Sequence, residues 1–176
     1  MTVAGPVGGD EDGPIRIDAE MLERLRRSGF RIDADGEFQH EGEPVRHEGL
    51  RRALFRWLDS LPDGRVILRL DSTRFAYVDV DDTPLVVRAA RIEGDKMLLA
   101  LSDGAEEALV PASLNIDDAG VMRCSVRNGR LTARLATSAA TVLAELMEED
   151  DEGAPVLNLA GQRHVLKREE RISSAH

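Results

Sequence analysis

Ile32-Asp33-Ala34-Asp35-Gly36-Glu37-Phe38-Gln39-His40-Glu41-Gly42-Glu43-Pro44-Val45-Arg46 is the stretch whose reading decides the fold. Asp-Gly ahead of an extended segment marks a turn. Glu37 to His40 and Glu43 to Arg46 can then pair across Glu41-Gly42 as a hairpin, because glycine tolerates the positive φ of a tight turn. The second half replays the stretch. Ile116-Asp117-Asp118-Ala119-Gly120 matches its opening, Val121 to Val126 follows, and Asn128-Gly129 supplies the hairpin turn before Arg130 to Leu135.

A helix is predicted after each hairpin. Leu50, Ala53, Leu54, Trp57, Leu58 and Leu61 fall at helical spacing and form one apolar stripe, which Pro62-Asp63-Gly64 stops. Its counterpart runs from about Thr137 to Met147, with Val142, Leu143, Leu146 and Met147 on one face and Asp150-Asp151-Glu152-Gly153 at its end. Each copy closes with two short strands. These are Val66 to Leu70 with Phe75 to Val80, and Val156 to Leu159 with His164 to Leu166. Between the copies lie Leu85 to Ile92, Met97 to Leu101 and an edge segment Ala108 to Val110 ahead of Pro111. The short polar loops argue for antiparallel pairing.

The predicted architecture is therefore α+β, with two repeated hairpin–helix–hairpin modules, a mainly antiparallel sheet and an N-terminal helix. Residues 1–14 are Gly-rich, acidic and aperiodic, and are expected to be a disordered tail. Asp18 caps a helix over 18–29 with Met21, Leu22 and Leu25 on one face and Gly29 at its end. The first module spans 15–110, the second 111–168, and 169–176 form a flexible tail. Two such modules are expected to share one core, since a single one is small.

Composition narrows the function. The 176 residues carry 23 basic and 33 acidic side chains, a net charge of −10, and only 3% aromatics. The core must be mainly aliphatic. The acidic balance argues against a nucleic-acid partner, and the aromatics are too few for a base-stacking platform. No apolar run approaches the roughly 20 residues that span a bilayer, and the N-terminus lacks the charge and hydrophobicity of a signal peptide. A cytoplasmic protein is the expectation. Cys124 is the single cysteine, so no intrachain disulfide can form. Lys96 and Lys167 are the only lysines, a usage expected of a GC-rich bacterial genome.

Catalytic signatures are missing. Asp33-x-Asp35-Gly36 departs from the spacing of a calcium loop and reads as a turn. His40, His47 and His164 lack metal-ligand spacing. Cys124 reads as a buried structural thiol. No catalytic residue, metal site or cofactor is assigned. The most distinctive segment is Val78-Asp79-Val80-Asp81-Asp82-Thr83-Pro84. Its carboxylates can serve as turn acceptors, or as a cation or acid–base site. Asp79, Asp81, Asp82, Thr83 and Pro84 are the candidate residues for binding a ligand or partner. The mostly acidic run Glu145 to Glu152 is a second, weaker candidate, for a basic surface.

Asp35-Gly36-Glu37-Phe38, Gly42-Glu43-Pro44-Val45, Leu54-Phe55 and Val80-Asp81-Asp82-Thr83-Pro84-Leu85 together resemble the bacterial domain of unknown function 1285 family. There an Asp-Gly-x-aromatic turn leads to a Gly-x-Pro-Ile-like step, a helix and a Val-Glu-Asp-x-Pro segment. The resemblance spans about residues 30–166. Asp81 stands where the family has Glu, Leu85 replaces an aromatic, and the second half lacks the family's basic approach to its helix. The resemblance implies an α+β fold of repeated motifs, a role in signalling or ligand binding, and no transferable catalytic residues.

The functional expectation is a non-enzymatic regulatory binding module, with a small molecule or a protein held between the repeats. Two alternatives come from other classes. One is a small enzyme using Asp79, Asp81 or Asp82 with His40 or His47, with or without a metal ion. The other is a structural interaction domain, such as a homodimer.

Overall fold

The computed structural model describes residues 27–169. The predicted disordered tail, the helix over 18–29 up to residue 26, and residues 170–176 lie outside them. The described residues form a mixed α+β fold, mostly strands, with two α-helices.

The first half opens with β1 (Phe30–Ile32), β2 (Phe38–His40) and β3 (Glu43–Pro44), paired antiparallel in that order. Asp33 makes the first turn. Its Oδ1 accepts from Asp35 N at 3.0 Å and Glu37 N at 2.9 Å, while its carbonyl accepts from Gly36 N. Glu41 and Gly42 make the second turn, both at positive φ.

Helix α1 (Glu48–Trp57) follows, with His47 Nδ1 accepting from Leu50 N at its start. The apolar stripe predicts a helix to Leu61, but the backbone turns extended at Leu58. Leu58 enters β4 (Leu58–Ser60) and stays buried against Leu68 of β5 (Val66–Arg69). A buried leucine satisfies a helical or an extended reading equally well, so the stripe could not locate the end. Likewise Pro62-Asp63-Gly64 joins two strands and does not stop the helix.

β6 (Phe75–Tyr77) completes a three-stranded antiparallel sheet with β4 and β5. The chain then breaks at Val78, so the predicted strand Phe75 to Val80 is two. β7 (Asp79–Val80) leaves that sheet and returns beside β1 in parallel, Arg31 opposite Asp79 and Ile32 opposite Val80.

The connecting strands are β8 (Leu85–Glu93), β9 (Lys96–Leu101) and the edge strand β10 (Glu106–Ala108). They pair antiparallel among themselves, with a bulge between Val87 and Ala89. A short 3-10 turn, Pro111–Ser113, leads into the second half.

That half contains β11 (Asn115–Asp117), β12 (Met122–Val126), β13 (Leu131–Leu135) and helix α2 (Thr137–Ala144). β14 (Met147–Glu149), β15 (Pro155–Leu159), β16 (Gln162–Val165) and β17 (Lys167–Glu169) follow. Helix α2 is shorter than its predicted span, because Met147 already pairs with Leu157 across β14 and β15. The Asp150 to Gly153 turn therefore joins strands here too. β17 returns beside β11 in parallel, Asn115 opposite Lys167.

β8 also pairs in parallel with β13, so residues 85–108 share one seven-stranded sheet with the second half, ordered β10-β9-β8-β13-β12-β11-β17. Short loops favour antiparallel neighbours but say nothing about strands brought together from afar. The three parallel pairings arise in that way. One apolar cluster runs through both halves, from Ile32, Phe38 and Leu54 to Leu99, Leu143 and Leu157. It is mainly aliphatic, and its buried aromatics Phe38 and Phe55 meet edge-on, ring centres 4.8 Å apart.

Candidate functional site

β7 delivers the acidic turn to the seam between the halves. Asp79 remains exposed on the strand. Asp81 pairs with Arg31 of β1, whose Nε donates to Oδ1 at 2.7 Å. Asp82 reaches into the second half. Arg123 of β12 donates to it from Nε at 3.1 Å and from Nη2 at 3.0 and 3.2 Å, and Arg134 Nε lies 3.7 Å away. Thr83 is buried. Its hydroxyl donates to the Leu85 carbonyl at 2.6 Å and accepts from Arg134 N at 3.0 Å.

Arg123 is the centre of this arrangement. Its Nη1 donates to Asp117 Oδ2 at 2.8 Å, so one guanidinium joins two carboxylates. Asp117 is buried and also accepts from Ala119 N and Val121 N. The Arg123 hydrogen bond, helped by the Val121 N–H, holds the Asp117 carboxyl below its ordinary range despite burial. Burial opposes the charge on Arg123, but Asp117 and Asp82 together outweigh it and raise its pKa.

A cavity of about 660 Å³ opens beside this cluster. Its first wall is Ser60–Pro62 with Asp82, Thr83 and Pro84. Its second is Arg123 with Gly129–Thr132. Three of the five candidate residues thus line a cleft between the halves, while Asp79 and Asp81 do not. The arginines were missed, although strand alternation could have flagged Arg123, which sits between buried Met122 and Cys124.

The other candidates lie elsewhere. His40 packs its ring on Phe30, 4.6 Å between centres, and His47 caps α1. No hydrogen bond or ion pair among the described residues joins either to Asp79, Asp81 or Asp82. Cys124 is buried, and burial, followed by the charge of Glu107, pushes its thiol up to about 12. In the acidic run, Asp150 accepts from Glu152 N and Ala154 N of its own turn, and Glu148 pairs with Arg163 at 3.4 Å. Among the described residues, no helix is long and apolar enough to cross a membrane.

The chain superposes on a DUF1285 family protein from Silicibacter pomeroyi DSS-3 with a TM-score of 0.62, covering 79% of each chain at 22% identity. Its fold is that of DUF1285 proteins. A second one, from Shewanella baltica OS155, gives a TM-score of 0.58 at 16% identity, covering 68% of this chain and 93% of that one. No family model and no curated protein matches the sequence. The DUF1285 fold thus supplies the frame on which the arginine–carboxylate cluster and the cleft are built.

Proposed function

We propose that the chain is a divergent DUF1285 family member and a non-catalytic binding module, built from two copies of one motif, with its ligand or protein partner seated in the cleft between them. A regulatory role is part of this reading.

The observation that carries it is the cleft, with Asp82, Thr83 and Pro84 on one wall and Arg123 on the other. Concave sites of this size between two units are where small ligands bind. The duplication has independent support. Each half runs from a first strand to a parallel last strand beside it, β1 with β7 and β11 with β17. Asp33 and Asp117 make the same turn, each accepting from backbone N–H groups two and four residues on. Gln39 and Arg123, each six residues further along, donate to them. The non-catalytic reading is supported by the partners of Asp81 and Asp82, which are the arginines Arg31 and Arg123.

A thermal-shift screen of metabolites, nucleotides and metal ions, alongside pulldowns, tests this. A hit on the native chain that disappears in Thr132→Trp, where a large ring fills the cleft from an exposed position, is the expected result. An empty screen with clean pulldowns would count against the reading.

A further inference from the structure

We infer that the cleft accepts a small anion, a phosphate- or carboxylate-bearing molecule, held at its mouth by Arg130. This inference rests on the cleft being the binding site.

Charge around the cleft is unlike that of the chain as a whole. The charged residues that line it are Asp82, Arg123 and Arg130, two cations against one anion. In a chain of net charge −10, this leaves one local positive surplus. A concave surface with low-dielectric walls concentrates such a field and draws in the opposite charge.

The surplus resides on Arg130. Arg123 is fully engaged, with Nε and Nη2 on Asp82 and Nη1 on Asp117. Arg130 has only long contacts, Nη1 to Asp59 Oδ1 and Nε to the Arg127 carbonyl, both 3.3 Å. Asp59 is held more closely by Arg69 Nε and Ser60 N, each at 2.9 Å. The Arg130 side chain is 56% exposed, yet its backbone is fixed, because Ser60 Oγ donates to its carbonyl at 2.5 Å.

A second polar group stands beside it. Thr132 follows by two residues, on β13 just past the turn that carries Arg130. Both line the cleft, and Thr132 is exposed. A guanidinium fork next to a hydroxyl suits a phosphate or carboxylate, which accepts two parallel N–H bonds and a third from O–H.

Amide NMR titration with inorganic phosphate, and separately with succinate, tests this at constant ionic strength. Saturable shifts at Ser60 and Gly129–Thr132 are expected. Arg130→Gln should weaken binding about tenfold or more, Arg130→Lys less, and Thr132→Val least. Unchanged spectra elsewhere show that the variants are folded. Tighter phosphate assigns a phosphate ligand, and tighter succinate a carboxylate. Shifts that never saturate, or that persist in Arg130→Gln, overturn the inference. A neutral ligand that fills the cleft while both anions fail overturns it and leaves the cleft reading standing. Arg130-dependent binding that survives Thr132→Trp removes the cleft as the site and overturns both.

Discussion

Arg127 Nη2 lies 2.8 Å from the carbonyl oxygen of Phe55, 72 residues away in sequence. The same nitrogen donates to Asp103 Oδ2 at 2.7 Å, and Nη1 reaches the Leu58 carbonyl at 2.9 Å. An arginine from the second half thus adds hydrogen bonds to the carbonyls of Phe55 in the last turn of α1 and of Leu58 in β4.

Removing that guanidinium strands an Asp103 side chain only 6% exposed. Arg127→Met is expected to cost about 3 kcal/mol, read from urea midpoints. Asp103→Asn should cost less, since an amide oxygen still accepts. The double variant should lose less than the two singles together. Additive losses would mean that the two side chains act independently.

Acid should loosen the seam between the halves. The folded Asp117 carboxyl sits below its ordinary value, chiefly through Arg123. Its contribution is therefore complete above the unfolded value of about 3.9 and is lost as pH falls through the folded one. Asp59 shifts the same way. Burial pushes it up, but the Ser60 N–H, Arg69 and Arg130 outweigh that. Asp117→Asn should lower stability at pH 7 and flatten the decline between pH 5 and pH 2. An unchanged slope in urea unfolding across that range would show that Asp117 is not a source of it.

Gly36 and Gly104 both hold positive φ, at 80° and 85°. They differ in surroundings. A Cβ at Gly36 would meet Val86 Cγ2 at 2.8 Å, whereas one at Gly104 would meet nothing within 4 Å. Gly104→Ala should cost about 1 kcal/mol for the backbone alone. Gly36→Ala should cost a further 1–3 kcal/mol or so, because Val86 is buried and stiff. Equal losses in thermal unfolding would refute the close approach.

Cys124 should resist alkylation. Its thiol is buried and stays protonated at pH 8. Iodoacetamide is expected to label it only after unfolding by urea, with mass spectrometry as the readout. Rapid labelling of the folded chain would contradict the burial.

What could be read from the chain was what it does locally. The Asp33 and Asp117 turns need only groups within four residues, so the Asp35-Gly36 pair and its counterpart over Ile116 to Gly120 announced them. The start of α1 and the hairpin at Glu41-Gly42 were legible for the same reason. The end of α1 was not, because Leu58 is buried in β4 and so fits the helical stripe as well as a strand. The candidate segment was found by its clustered carboxylates, but its role in the seam depends on Arg123, 41 residues from Asp82. Periodicity marks which side chains are buried. It carries no information about which distant arginine will meet which aspartate.

The parallel return of β17 to β11 has a consequence for synthesis. The ribosome releases Asn115 to Asp117 long before Lys167 to Glu169. Until those last residues emerge, β11 has a raw edge of unpaired N–H and C=O groups, the kind that recruits other chains. A chain terminated just before Lys167 would keep β11 as its edge, and is expected to associate with itself more readily than one whose edge is the charged, exposed strand Lys167–Glu169.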